Sequence, residues 1–273
     1  MEDSLIYARL RGALPASPGD FYALLAEAGH SLTSKASGES QSAETLADTR
    51  GTTVLALKYK GGVLNLGDRR ATSEHMVMYD RAEKILPLDD HTVLAVSGSY
   101  ARAMEVVRYL RHAFQYYRRT QLQEMSLEGK VSEVSRMIAA NLTSAMQGIG
   151  GFLPILSAWD TAREEGRIFF YDALGARFES AEFGAQGTGA QRIRGIFDYV
   201  VKTKGPFHEM SLEQVLREGL VLLDIAADLD ALTGGYSKVP PLALSVSAEG
   251  VNQLSEETVQ GAVEKIGAEN HGD

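Results

Sequence analysis

The run Asp48-Thr-Arg-Gly-Thr-Thr-Val-Leu-Ala-Leu-Lys-Tyr-Lys-Gly-Gly-Val-Leu-Asn-Leu-Gly-Asp-Arg-Arg-Ala-Thr72 decides how this chain folds. Thr53–Tyr59 and Val63–Gly67 are two short β-forming runs, and Lys60-Gly61-Gly62 between them is a hairpin turn signal. With the turn near Lys60-Gly61, residues whose numbers sum to about 121 face each other. Thr52 then lies opposite Arg69 and beside Asp68, so the hairpin carries a carboxylate to the threonine.

Before this run the chain is different. Asp20–Ala28 could form a short helix, with Asp20 as N-cap and Gly29 as stop. Residues 31–51 are rich in Ser, Thr, Ala and Glu, with Leu32 and Leu46 as the large apolar residues. Such a stretch buries too little surface to offset its ordering entropy and reads as a linker.

After the run, Thr92–Ser97 reads as a strand closed by Gly98. Helical periodicity follows over Ala101–Tyr117, with Met104, Val107, Leu110 and Phe114 on one stripe, and over Lys130–Met146, with Val131, Val134, Ile138 and Leu142. Strands are expected at Leu153–Trp159, Ile168–Asp172 and Arg177–Phe183, helices at Ala190–Val200 and Leu212–Asp230. A strand at Leu242–Val246 and a helix at Ser255–Ile266 close the chain. Strands in hairpins, grouped apart from pairs of helices, indicate an α+β fold in which two facing sheets carry helix pairs outside.

Composition narrows the function. The net charge of −9 argues against nucleic acid or an anionic membrane as partner, since both need clustered Lys and Arg. With no Cys there is no disulfide, thiolate metal site or cysteine nucleophile, which suits a reducing cytoplasm. No apolar run approaches the roughly 18 residues of a membrane span, and the acidic start Met1-Glu2-Asp3 is not a signal peptide. Six scattered His without metal-ligand spacing predict no metal, and no cofactor motif is present.

Gly51-Thr52 admits two readings. Thr52 and Thr53 favour β structure and can simply open a strand. Alternatively, cutting the Gly51–Thr52 bond frees an α-amine of pKa about 7.7–8.0, suited to act as base for the Thr52 hydroxyl. Lys84, among apolar neighbours in Arg81-Ala-Glu-Lys-Ile-Leu, is ordinarily a solvated residue. Held between a carboxylate and a hydroxyl, its charge would lower the hydroxyl and amine pKa values. Gly98, at a strand-to-helix junction, is either a plain turn or the donor of an oxyanion-binding N–H.

Together these residues resemble the proteasome β subunits, threonine proteases of the N-terminal-nucleophile fold, most closely the bacterial, actinobacterial type. Gly51-Thr52-Thr53, Gly67-Asp68-Arg69-Arg70-Ala71-Thr72, Lys84 and Ser97-Gly98 stand in family order. The steps from Thr52 to Asp68, Lys84 and Gly98 are 16, 32 and 46 positions and agree with the family, which selects Thr52 over Thr53. Gly187-Thr188-Gly189 resembles a Gly-Ser-Gly element, with Thr where Ser is usual. Asp230-Ala-Leu-Thr233-Gly234 resembles an Asp-x-x-Ser/Thr-Gly element.

The resemblance implies a four-layer αββα sandwich at residues 52–250, behind a propeptide at 1–51 removed by autocleavage between Gly51 and Thr52, with an acidic helix or tail at 251–273. It implies Thr52 as nucleophile, Lys84 tuning its pKa, Asp68 anchoring Lys84, Gly98 holding the oxyanion, and Thr188, Asp230 and Thr233 orienting amine and water. The first substrate pocket would comprise Ala71, Ala82, Leu86, Val96, Tyr100 and Met104, an uncharged wall expecting apolar residues before the cleaved bond. Thr72 and Tyr100 would lend backbone groups to an extended substrate. Implied partners are α subunits and other β subunits in heptameric rings, an ATPase ring activator and unfolded polypeptide substrates. A non-catalytic ring subunit of the same fold and a small-molecule amidase are the rival readings.

Overall fold

The computed structural model describes residues 49–50, 52–73, 76–147, 150–236 and 239–270, so the helix expected at Asp20–Ala28 and the junction residue Gly51 lie outside the described residues. The first elements are β1 (Thr49–Arg50), β2 (Thr53–Tyr59), β3 (Gly62–Gly67), β4 (Ala71–Ser73), β5 (Met76–Tyr79), β6 (Ile85–Asp89) and β7 (Thr92–Gly98). Helices α1 (Tyr100–Gln121) and α2 (Leu127–Met146) come next, then β8 (Phe152–Asp160), β9 (Glu165–Tyr171), β10 (Arg177–Ser180) and β11 (Phe183–Gly187). The chain continues through α3 (Ala190–Lys204), α4 (Leu212–Leu229), β12 (Leu242–Ser247), β13 (Gly250–Gln253) and α5 (Glu256–Asn270).

One sheet has the order β11-β2-β3-β12-β13 and the other β10-β9-β8-β7-β6. Every pairing in both is antiparallel. The β2–β3 register is Val54↔Gly67 and Leu55↔Leu66, the pairing the turn position predicts. β2 and β3 are buried on both faces, which is why they read as nearly continuous apolar runs. Leu55, Leu57, Leu64 and Leu66 pack outward against α3, α4 and α5. Val54, Ala56 and Val63 pack inward against Val93, Ala95, Ile155 and Ile168 of the second sheet. That sheet in turn packs Leu94, Val96, Leu156 and Phe169 against Val107, Leu110 and Phe114 of α1 and Val131 and Val134 of α2. The layers are therefore helices, sheet, sheet, helices, as expected.

The helices are set by their stripes and caps. Ser126 accepts the Gly129 N–H at the start of α2, and Ser211 with Gln214 forms a capping box at the start of α4. On α2 the buried position after Ile138 is Asn141 rather than Leu142: its amide oxygen accepts from Arg102 Nε at 2.7 Å and its Nδ2 donates to the Gly150 carbonyl at 2.7 Å. α5 anchors to the body through buried Val259 and Ile266.

Some elements differ from the sequence reading. The strand expected over Arg177–Phe183 is two strands in different sheets, β10 and β11, joined at Ala181-Glu182. β9 ends at Tyr171, and Asp172 instead turns the chain by accepting the Leu174 and Ala176 N–H groups. A third, small sheet of order β1-β4-β5 was not expected. Nor were β6, which contains Pro87 and an irregular register beside it, and β13. Among the described residues no helix is long and apolar enough to cross a membrane, and no group of acidic or His residues is arranged to hold a metal.

Candidate active site

The β2–β3 hairpin places Asp68 one residue beyond β3, beside the start of β2. Asp68 is 1% exposed, and its carboxylate is surrounded by donors. Oδ1 accepts the Thr53 N–H at 2.8 Å and Lys84 Nζ at 2.9 Å. Oδ2 accepts the Arg70 N–H at 3.1 Å and the Gly234 N–H at 3.0 Å. Four donors, one of them a cation, offset the cost of burying the carboxylate. Lys84 also donates to the Arg70 carbonyl. It precedes β6, and its carbonyl accepts the Val96 N–H of β7 at 2.8 Å, so the second sheet holds its backbone while Asp68, just after β3 of the first, holds its ammonium. Burial pushes the Lys84 ammonium below its ordinary pKa, against the opposing pull of Asp68.

Thr52 and Thr53 face different surroundings. Thr52 lines an open cleft of about 650 Å³ together with Ser97, Gly98, Gly187, Thr188 and Arg192. Thr53 is fully buried, and its hydroxyl lies 2.6 Å from that of Thr233. Thr233 Oγ1 donates to Asp230 Oδ2 at 2.7 Å. A hydroxyl has a single proton, so Thr53 is the donor in the Thr53–Thr233 bond. The Thr188 hydroxyl donates to the same Asp230 oxygen at 2.5 Å, and the Thr188 N–H donates to the Thr52 carbonyl at 3.1 Å. Asp230 reaches these partners because α4 stops at Leu229 and leaves it extended, with φ −138°. The Arg70 guanidinium clamps this turn from below by donating to the carbonyls of Ala231 and Thr233 at 3.3 and 3.2 Å.

Two glycines make the cleft possible. Gly187 has φ +110°, and a Cβ there would lie 1.8 Å from the Thr52 carbonyl oxygen. Gly98 has φ +97°, and a Cβ would lie 2.4 Å from the Gly151 carbonyl oxygen.

The structure thus brings Thr52, Gly98 and Thr188 to one cleft and Asp68, Lys84, Asp230 and Thr233 to the layer of hydrogen bonds around it. The residues assigned to the first pocket lie to one side. Ala71 and Thr72 are in β4, Ala82 follows β5 and donates its N–H to the Arg69 carbonyl, Leu86 is in β6 and Val96 in β7. All five are buried. Leu86 and Val96 belong to the core beneath α1, with Met104 packed against it. Tyr100 opens α1, and its hydroxyl takes the Glu83 N–H, next to Ala82. β1 pairs antiparallel with β4, Thr49 opposite Ser73 and Arg50 opposite Thr72. The sequence reading missed the parts played by Thr53, Arg70 and the Gly234 N–H. The doubled threonine at 52–53 was the signal available for Thr53, since alternation along a strand points the two hydroxyls to opposite faces.

Comparison with known proteins agrees with this geometry. The family model described as "Proteasome subunit" matches residues 49–239. A protein of Acidothermus cellulolyticus named proteasome subunit beta is 34% identical over 223 residues, covering 79% of this chain and 75% of the relative. One of Streptomyces griseus subsp. griseus with the same name is 31% identical over 210 residues, covering 76% and 73%. The same name is carried by a Jonesia denitrificans protein, 31% identical over 209 residues, covering 76% and 67%. The chain belongs to the proteasome family, a family of peptide-bond hydrolases with the N-terminal-nucleophile fold.

Proposed function

We propose that this proteasome-family chain is the precursor of a threonine endopeptidase. Thr52 is the nucleophile, freed when the Gly51–Thr52 bond is cut. The observation that carries this reading is the cleft in which Thr52 meets Gly98 and Thr188, backed by the buried Lys84–Asp68 pair.

The Thr52 Oγ proton passes to the free α-amine of Thr52 while Oγ bonds to the substrate carbonyl carbon. The Gly98 N–H holds the resulting oxyanion. As that intermediate collapses, the peptide C–N bond breaks and the ammonium returns its proton to the departing amine. Water then hydrolyses the ester, with the α-amine again as base, and restores the Thr52 hydroxyl. The Lys84 ammonium lowers the pKa of the hydroxyl and amine by its charge, and Asp68 keeps it in place. Thr188, Asp230 and Thr233 position the amine and the water.

The pairing of β1 with β4 supports self-cleavage. Residues 49–50 lie on the strand that Thr72 would offer to a substrate, so the segment before Thr52 occupies the place of a peptide about to be cut. The uncharged wall around Ala71, Ala82, Leu86 and Val96 favours apolar residues before the cleaved bond. The enzyme would act on unfolded polypeptides, within heptameric rings built with α subunits and served by an ATPase ring.

Substitution Thr52→Ala tests the reading. Co-produced with α subunits, it should leave an uncut chain without peptidase activity. Normal processing of that variant would refute it.

A further inference from the structure

A second cavity, about 300 Å³, adjoins the Thr52 cleft and is lined by Phe170 of β9, Phe183 and Ala185 of β11, and Gln191 and Arg194 of α3. The two cavities share Gln186, Gly187 and Gln191, so they form one groove that starts at Thr52 and follows β11. β11 is the terminal strand of its sheet. The Thr188 N–H bonds the Thr52 carbonyl and the Lys58 N–H bonds the Glu182 carbonyl, so even-numbered residues of β11 face β2. Antiparallel alternation then turns the backbone groups of Phe183 and Ala185 toward the free edge.

The groove is cationic in an acidic chain of net charge −9. Arg192 lines the cleft and Arg194 the adjoining cavity, and no carboxylate of a described residue lines either. Both arginines are exposed, and neither forms an ion pair with a described residue. Direction follows from β1. A peptide in its place lies on β4 and leads toward Thr52, so a continuation into the cleft meets Gly187 at the C-terminal end of β11. Travelling from Gly187 toward Phe183, it runs antiparallel to β11.

We infer that this groove holds the part of the substrate beyond the cleaved bond, added as an antiparallel strand to β11, and that Arg192 and Arg194 select acidic side chains there. The inference rests on Thr52 being the nucleophile. Solvent-exposed pairs of this kind contribute about 1.4-fold to fivefold per charge and weaken with salt.

The test uses the assembled particle of full-length chain with α subunits. Two internally quenched peptides are identical up to the cleaved bond and carry either two Glu or two Lys at the second and third positions after it. A third reporter releases a small fluorophore and has no residues beyond the bond. The Glu peptide should have the higher kcat/KM, by about tenfold at low salt, with the ratio shrinking as salt rises. Arg192→Glu with Arg194→Glu should invert the ratio, and Arg192→Gln with Arg194→Gln should bring it near one. Equal kcat/KM for the two peptides, or a ratio independent of salt, overturns the inference. So does a ratio unchanged in both double variants, the result expected if a neighbouring subunit covers the groove. If the variants do not assemble, the salt dependence of the unaltered particle decides. Turnover of the fluorophore reporter without charge preference fails this inference alone. No turnover of that reporter fails the Thr52 reading and the inference with it.

Discussion

Lys84 Nζ lies 2.9 Å from Asp68 Oδ1, with side chains 2% and 0% exposed, and the same Asp68 oxygen accepts the N–H of Thr53, the residue after the cleft threonine. One carboxylate therefore ties the buried cation to the backbone at the start of β2.

Removing one partner of this pair strands the other. Asp68→Ala removes the anion facing the buried Lys84 ammonium, which keeps its bond to the Arg70 carbonyl, and takes the acceptor from three backbone N–H groups. The expected loss of stability is about 3–5 kcal/mol, together with loss of activity. Chemical denaturation of the variant and the parent measures it; a difference below about 1 kcal/mol would contradict the bonding described here.

Lys84 also sets a pH dependence. Burial lowers its pKa from the ordinary 10.5, so the native state releases this proton before the unfolded chain does. Between the two values the unfolded state binds more protons, and the Lys84 contribution to stability rises with pH. On the role proposed for Lys84, activity moves oppositely, because the charge assigned to assist Thr52 disappears. The kcat/KM profile should fall on the alkaline side at a pH below that of a free lysine. Lys84→Arg keeps its charge and should lose that limb, whatever its absolute rate. An unchanged alkaline limb in Lys84→Arg would assign it to another group.

Gly187→Ala should be among the most damaging small substitutions. It imposes φ +110° on a residue with a Cβ and drives that atom toward the Thr52 carbonyl. The backbone strain alone is roughly 1–3 kcal/mol, and relief of the overlap displaces Thr52. Peptidase activity should fall much further than thermal stability. Activity within twofold of the parent would show that Gly187 does not set the position of Thr52.

A separate network governs acid stability. Arg167 bonds Glu179 through Nε and Nη2 and Asp160 through Nη1. Hydrogen bonding to Arg167 holds Glu179 below the usual carboxylate range. Burial works the other way on Asp160, but bonds from Arg167 and the Ala162 and Arg163 N–H groups outweigh it and lower that pKa too. Both contributions are present above the ordinary values of 4.5 and 3.8 and are lost as pH falls through the native values. Arg167→Met should therefore lower Tm most near neutral pH and progressively less in acid. A Tm difference that is constant with pH would contradict this.

Much of this arrangement was legible before any coordinates. The turn at Lys60-Gly61 sets the β2–β3 register, and that register alone brings Asp68 to the threonines. The helix stripes were equally plain, because α1 and α2 each bury one face. What was missed lacked a local signal. β5 exposes all four residues, so it shows no alternation. β6 carries Pro87, which reads as a break. β10 and β11 are separated by Ala181-Glu182 without glycine or proline, so the crossing between sheets left no mark. In the Asp230 cluster Thr188 meets a residue 42 positions away, and it was the resemblance of two short motifs, Gly187-Thr188-Gly189 and Asp230-Ala-Leu-Thr233-Gly234, to family elements that pointed to it.

The most direct measurement is the intact mass of the chain recovered from particles assembled with α subunits, before and after treatment with an electrophile directed at N-terminal threonine. A chain beginning at Thr52, shifted by one adduct on treatment, is the predicted result. A chain that retains residues 1–51 in active particles, or a mature chain beginning at Thr53, would contradict the assignment of Thr52.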